Sequence, residues 1–329
     1  MPMEKVSSTV NDGWLRVFVA QKRIEADGIV RLLLCSSDGV NLPPFSAGAH
    51  LEIELPNGQV RPYSLCNAPH DAACYEIAVL LEPNGRGGSR CIHQQVREGA
   101  ILRAKPPRNL FPLAADGHGL LVAGGIGITP LLAMAEQLFH DGRTFDLHVC
   151  ARTPQRAAFR QRLAATPFAS RVSWHFDDAA PEQRFDLNST LAEAPADSRL
   201  YVCGPQGFMD FVLGGARSAG WPDERLHYEY FSAGKIDHSA DSAFDIFLAR
   251  TGRTIAVPPG ITAAAALVEA GVDIPLSCEQ GVCGTCLLPV VEGVPDHRDH
   301  YQSKAERASN RLFAPCCSRA QTPRLTLDF

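Results

Sequence analysis

Three cysteines crowd one short loop of this chain: Cys278, Cys283 and Cys286, in Ser277-Cys278-Glu279-Gln280-Gly281-Val282-Cys283-Gly284-Thr285-Cys286, with an adjacent pair, Cys316 and Cys317, near the chain end. The spacing C-x4-C-x2-C followed by a distant cysteine is that of a loop holding a 2Fe-2S cluster. One segment must wrap two metals so that thiolates reach both. Glycines at 281 and 284 let the backbone approach the sulfides without a Cβ in the way. Zinc is the alternative, since it too accepts four thiolates. Its structural sites usually come as two C-x2-C-like pairs closing a tetrahedron, whereas here three ligands share one loop and the fourth is remote. The spacing therefore predicts an iron-sulfur centre and a chain that carries single electrons.

At 329 residues the chain is too long for one ordinary core, which predicts two or three domains. With 45% hydrophobic and 20% charged residues it reads as a soluble globular protein. No apolar run approaches the roughly 18 residues of a spanning helix. The opening Met1-Pro2-Met3-Glu4-Lys5 lacks a signal peptide's apolar core, so the expectation is a cytoplasmic protein with no membrane partner. A formal net charge of -5 with dispersed Lys and Arg argues against a nucleic-acid partner. In a reducing compartment Cys35, Cys66, Cys74, Cys91, Cys150 and Cys203 read as small core residues. His297 and His300 read as solvated loop residues rather than ligands.

Up to about residue 112, short runs alternate apolar and polar residues (15 to 19, 30 to 34, 51 to 55 and 76 to 80), punctuated by Gly and Pro, which predicts a small antiparallel β-barrel over 1–112. Residues 113–231 alternate apolar strands (119 to 123, 145 to 150, 200 to 203) with helical segments, as in a parallel-sheet α/β domain. Residues 232–242 are small, polar and aperiodic, and read as a linker. Residues 243–329 hold two strands, an alanine-rich helix and the cysteine loop, a compact α+β module.

In the first domain Arg61-Pro62-Tyr63-Ser64-Leu65 closes a strand, and Gly87-Gly88-Ser89 opens a helical segment. The first places a guanidinium and a hydroxyl beside an aromatic able to flank a planar ring, and the second offers backbone N–H groups to a phosphate. Alone, either would fit an ordinary strand or turn; together they point to a flavin. In the second domain Gly124-Gly125-Ile126-Gly127-Ile128-Thr129-Pro130 follows a strand and precedes a helix, the order that brings a pyrophosphate onto backbone amides. It departs from G-x-G-x-x-G, so a tight structural turn is the alternative. Cys203-Gly204-Pro205 makes a second such turn, and the two would line the carboxyl edge of one sheet, where open α/β folds bind ligands.

Six motifs in this order, RPYSLCN (61 to 67), GRGGS (85 to 89), GGIGITP (124 to 130), VCGPQGFM (202 to 209), SCEQGVCGTC (277 to 286) and CSRA (317 to 320), resemble those of the phthalate dioxygenase reductase family. That family lies within the ferredoxin-NADP reductase superfamily, close to the reductase components of vanillate-type O-demethylases. The resemblance covers nearly the whole chain after about residue 13. It implies a β-grasp-like 2Fe-2S ferredoxin domain and FMN held by Arg61, Tyr63 and Ser64, with Gly87, Gly88 and Ser89 near its phosphate. It implies NADH around Gly125, Gly127, Thr129, Cys203, Gly204 and Pro205, and an aromatic near the flavin, Phe231, with Cys203 beside the reacting centre. Read without the family, Cys203 is a small residue packed at a strand end and Phe231 an apolar contact between domains. The family's last motif is Cys, one residue, then Ser-Arg-Ala, which makes Cys316 the fourth cluster ligand and Cys317 the alternative. In an extended strand neighbouring side chains face opposite ways, so only one of the two thiolates should reach the cluster.

After the strand at 145 to 150 come Ala151-Arg152-Thr153-Pro154 and Arg156, and no carboxylate stands where an acidic ribose reader is expected. Arginines there would accept a 2′-phosphate, yet the resemblance implies NADH. A nicotinamide delivers two electrons as hydride and a cluster accepts one, a mismatch that a flavin bridges. The expected path runs from NADH through FMN and the 2Fe-2S cluster to a separate protein. The resemblance makes that acceptor a Rieske-type terminal oxygenase of an aromatic or similar compound, with the reductase a monomer. The rivals are a free-standing NAD(P)H-dependent reductase serving another monooxygenase and, from a different class, a non-catalytic redox-sensing module.

Overall fold

The computed structural model describes residues 13–70, 73–232, 239 and 241–329. The chain divides into two compact units, Met1–Glu229 and Tyr230–Phe329.

In the first unit the alternating segments become β1 (Leu15–Ala26), β2 (Ile29–Ser36), β3 (Ala49–Glu54), β4 (Val60–Ser64), β5 (Cys74–Leu80), α1 (Gly88–Gln94), β6 (Ile101–Ala104) and β7 (Arg108–Asn109). The sheet order is β4-β3-β6-β1-β2-β5, with β7 paired to β3. Apolar residues of alternating positions, among them Val17, Val19, Leu32, Leu34, Ile53 and Ile77, fill the interior. The ladder curls back on itself, because a bridge between Leu65 and Ile77 and a 2.9 Å bond from Cys66 N–H to the Glu76 carbonyl tie the end of β4 to β5. The Lys22 ammonium donates to the carbonyls of Ile92, His93 and Val96, each at 2.8 Å, and so ties the C-terminal end of α1 to β1.

Cys35 and Cys74, expected as reduced core residues, are half-buried and joined as a disulfide. They stand opposite one another in the β2–β5 register, with Cα atoms 4.4 Å apart, the short spacing of a non-hydrogen-bonded antiparallel pair. Alternation along each strand carries no information about which strands pair, so the partnership was invisible in the sequence. Cys66, Cys91 and Cys203 are buried, as expected of core residues.

The same unit continues with β8 (Gly119–Gly124), α2 (Ile128–His140), β9 (Phe145–Ala151), α3 (Arg160–Ala164), β10 (Val172–Phe176), α4 (Leu187–Glu193), β11 (Arg199–Gly204), α5 (Gln206–Ser218) and β12 (Leu226–Tyr230). The sheet order is β10-β9-β8-β11-β12, and β10/β9, β9/β8 and β8/β11 pair in parallel. The order reverses on either side of β8, and in open α/β sheets the carboxyl ends of the strands at such a reversal, here β8 and β11, are where ligands bind. Carboxylates of the barrel meet cations of this layer. The Arg162 guanidinium donates to Glu76, which also accepts from Arg31 at 2.7 Å, and the Phe159 N–H donates to Glu25 at 2.9 Å.

The second unit holds β13 (Phe244–Leu248), β14 (Arg253–Val257), α6 (Ala263–Glu269), β15 (Leu288–Glu292), β16 (Pro295–Asp296), α7 (Lys304–Ser309), β17 (Leu312–Phe313), β18 (Arg319–Ala320) and β19 (Arg324–Leu327). Its main sheet runs β14-β13-β19-β15-β17, with β13 and β19 parallel and β13 and β14 antiparallel, under an Ala-rich α6 capped by the Thr262 hydroxyl. Most of the expected linker, 233–238 and 240, lies outside the described residues. Its end belongs to the unit, since the buried Asp241 carboxylate pairs with Arg298 at 2.8 Å and Arg319 at 3.4 Å. Among the described residues no helix is long and apolar enough to cross a membrane.

Candidate functional site

Residues 61 to 64 lie in β4, so the side chains of this motif alternate across the sheet. Gly87 has φ +98°, a conformation that needs glycine, and turns the chain so that Gly88 lies on Arg61: a Cβ there would fall 3.0 Å from Arg61 Cγ. Arg61 and the Gly87–Ser89 backbone are thus brought together, although the Ser89 hydroxyl already accepts from the Glu82 N–H at 3.0 Å. Burial pushes the Tyr63 phenol up. His50 stands opposite Ser64 in the β3–β4 register, and both its ring nitrogens are buried without a hydrogen-bond partner. Burial, then the Arg108 charge, hold its imidazole down at about 4, so it is neutral. An orphaned neutral imidazole on the face that carries Ser64 fits a strand built to take a further polar group there.

The two turns of the α/β layer interlock. A Cβ on Gly127 would fall 2.1 Å from the Cys203 carbonyl oxygen, and Cβ atoms on Gly124 or Gly204 would fall 2.7 or 2.8 Å from the Phe208 ring. The glycines therefore let β8 and β11 end side by side, a packing need that the turn reading alone would also give. Gly125 differs: with φ +55° and open space about its Cβ position, it faces room rather than protein. The Thr129 hydroxyl is buried and donates within the turn to Ile126 at 3.0 Å, while Pro205 precedes α5. Gly125, Gly127, Thr129, Cys203, Gly204 and Pro205 thus share one sheet edge.

Ser64 Oγ donates to Glu229 Oε2 at 3.2 Å, which links the barrel strand to β12. Desolvation raises the Glu229 carboxyl to about 8, so it is protonated at neutral pH. Burial and then the Glu229 charge push the Cys203 thiol up, which places Glu229 beside Cys203. Glu229 was passed over in the sequence, where the aromatic beside it drew attention; an acidic residue on an apolar strand end was the available signal. Phe231, half-buried, follows β12 directly.

A second omission is corrected by the strand order. β10 ends beside β9, and Asp177 and Asp178 continue it by donating their N–H groups to the carbonyls of Ala151 and Arg152 at 3.2 and 3.3 Å. Burial, with the Asp177 charge adding, pushes the Cys150 thiol up to about 12. The Asp177 carboxylate therefore stands near Cys150 at the end of β9, with Asp178 next in the chain, and both come from the segment that follows another strand, which is why inspection of the residues following β9 did not find them.

In the second unit Cys278, Cys283, Cys286 and Cys316 are each 4% exposed. They form two pairs, the Cys278 thiol hydrogen-bonded to Cys283 and the Cys286 thiol to Cys316. Among the described residues no three Cys, His, Asp or Glu converge as ligands of a single ion. Two thiol pairs fit a two-iron cluster, one pair per metal. The loop reaches this shape through Glu279, Gly281 and Gly284, with φ +51°, +75° and +69°. Cys317 packs on the loop, since a Cβ on Gly281 would fall 2.5 Å from its sulfur, as a Cβ on Gly284 would from the Tyr301 ring. Cys316 and Cys317 lie in a turn, where the Cys317 N–H donates to Ala314 at 3.2 Å, rather than in the expected extended strand. His297 is likewise no solvated residue, because its ring pairs with Asn310 at 3.2 Å.

Residues 246–321 match the family of 2Fe-2S iron-sulfur cluster binding domains, and residues 121–213 the oxidoreductase NAD-binding domain family. The chain is 48% identical over 312 residues to the vanillate O-demethylase oxidoreductase of Pseudomonas putida, covering 94% of this chain and 98% of that one. Among solved structures it is similar to phthalate dioxygenase reductase, described as a modular structure for electron transfer from pyridine nucleotides to [2Fe-2S] (TM-score 0.77, 38% identity, 97% of this chain and 98% of that one). It is also similar to part of an intact type IV self-sufficient cytochrome P450 monooxygenase, at TM-score 0.82 and 36% identity. There, 96% of this chain spans 41% of the other.

Proposed function

The chain belongs to the family of vanillate O-demethylase oxidoreductase and phthalate dioxygenase reductase, NADH-dependent electron-transfer proteins with a flavin and a 2Fe-2S cluster, and we propose that its acceptor is a Rieske-type terminal oxygenase of an aromatic compound. In this reading 1–112 is the FMN domain, 113–231 the NADH domain and 243–329 the ferredoxin domain, and the protein works as a cytoplasmic monomer. Bound FMN would accept hydride and release electrons singly.

The chain's own residues have the following parts. Arg61 and the Gly87–Ser89 backbone would hold the FMN phosphate, and Tyr63 and Ser64 would hold its ring system. Gly125, Gly127, Thr129, Cys203, Gly204 and Pro205 share the sheet edge that would receive the nicotinamide, and Phe231 would be the aromatic that serves the flavin. Glu229 carries a proton at the Ser64 hydrogen bond, in reach of the Cys203 side. Asp177 and Asp178 read the adenosine ribose and repel a 2′-phosphate, which favours NADH over NADPH. Cys278, Cys283, Cys286 and Cys316 hold the cluster.

The observation that carries the reading is the pairing of four thiols in a chain that also ends two glycine turns on one sheet edge: a one-electron centre and a hydride-accepting crevice encoded together. The test uses the full-length Cys316→Ser variant. It should keep NADH-driven ferricyanide reduction and lose support of a Rieske oxygenase isolated with it; full oxygenase turnover by the variant would refute the path. The likeness to a self-sufficient P450 favours a haem acceptor as second reading, and reduction of a P450 in place of the Rieske protein would select it.

A further inference from the structure

Cys35 and Cys74 have no part in hydride or electron transfer as derived above. Their position nevertheless couples them to the flavin strand. Cys74 opens β5, and the side-chain amide of Asn67, three residues beyond Ser64, donates to the Cys74 carbonyl at 3.1 Å and accepts from the Glu76 N–H at 2.9 Å. Cys66 N–H donates to the Glu76 carbonyl beside it. A bond between Cys35 and Cys74 therefore fastens to β2 the strand on which the flavin motif rests, across 39 residues of chain.

The pair also differs from the other thiols of its unit. Cys66, Cys91 and Cys203 are buried and Cys150, though partly exposed, is a free thiol, whereas Cys35 and Cys74 are partly exposed with sulfurs already within bonding reach. Solvent-accessible disulfides are the more readily opened by dithiols, and this one joins two partly exposed residues.

We propose that Cys35 and Cys74 form a reversible redox modification site, closed by hydrogen peroxide and opened by a dithiol, that sets how firmly the flavin strand is held. In closing, one thiolate attacks peroxide to give a sulfenic acid and hydroxide, and the second thiol displaces water; two thiols and one peroxide yield one disulfide and two waters. In opening, a dithiol gives up two hydrogens and leaves as its own disulfide. Peroxide is the product of a reduced flavin meeting dioxygen instead of its acceptor, so the oxidant would arise at the strand that the bond secures.

The test uses the full-length holoprotein, first reduced with dithiothreitol, then given one equivalent of hydrogen peroxide. Peptide mapping after alkylation should show Cys35 and Cys74 blocked in the reduced protein and protected, with loss of two hydrogens, in the oxidised one. Closure should raise the melting temperature by roughly 5 °C or more and slow flavin release. Cys35→Ser and Cys74→Ser should each abolish both responses while turning over NADH like the reduced parent. A pair that resists excess dithiothreitol, or stays alkylatable after peroxide, would overturn the proposal. So would closure that leaves flavin release unchanged.

Discussion

Ser64 on the barrel and Glu229 on the last strand of the nucleotide sheet are joined by a 3.2 Å hydrogen bond, and desolvation keeps the Glu229 carboxyl protonated up to about pH 8. A raised carboxyl binds its proton more tightly in the folded than in the unfolded chain, so this group's contribution to stability is unchanged below about pH 4, declines as pH rises and levels off above about 8. The Glu229→Gln variant, uncharged at every pH, should lose that decline, as seen in urea midpoints between pH 5 and 9.

The same proton should appear in catalysis. The kcat/KM for NADH should change through an apparent pKa near 8 in the parent and lose that inflection in Glu229→Gln. Removing the side chain in Glu229→Ala should lower kcat about tenfold or more.

Cys316 faces Cys286, while Cys317 packs on Gly281. Cys316→Ser should lose iron and the charge-transfer absorption of the cluster, and Cys317→Ala should keep both, as measured by iron content and visible spectra. Retention of iron by the first with loss in the second would move the ligand.

Asp177 and Asp178 stand at the end of β9 without belonging to it. Replacing both by Ser removes two negative charges from the proposed ribose subsite. The ratio of kcat/KM for NADH to that for NADPH should fall about tenfold, the effect of one charge-assisted hydrogen bond.

Glu76 accepts from both Arg31 and Arg162, with its side chain 8% exposed. Glu76→Gln removes the carboxylate that the two guanidinium groups share, but Arg31 keeps Glu25 at 3.1 Å and Arg162 keeps Glu136 at 3.3 Å, and both are about 30% exposed, so the loss should be about 1–2 kcal/mol rather than the larger cost of leaving a fully buried charge unpaired. Urea denaturation checks it. Arg162→Ala, which leaves Glu76 its Arg31 partner, should cost less.

The sequence by itself determined the elements and the cluster. Alternation in 15 to 19 and 76 to 80, the glycine turns at 124 to 130 and 203 to 205, and the cysteine spacing at 278 to 286 are local patterns, because strand period, left-handed turns and a metal-wrapping loop each depend on residues a few positions apart. Only the tertiary structure decided what depends on which strands become neighbours. Cys35 meets Cys74 because β2 pairs β5, Asp177 and Asp178 reach the end of β9 because β10 runs beside it, and Glu229 reaches Ser64 because the nucleotide sheet packs on the barrel. Even the assumed geometry of Cys316 and Cys317 was replaced, since a turn rather than a strand lets Cys316 face Cys286 while Cys317 fills the space that Gly281 leaves. Pairing across long stretches of chain is set by the burial of whole faces, and no local spacing records it.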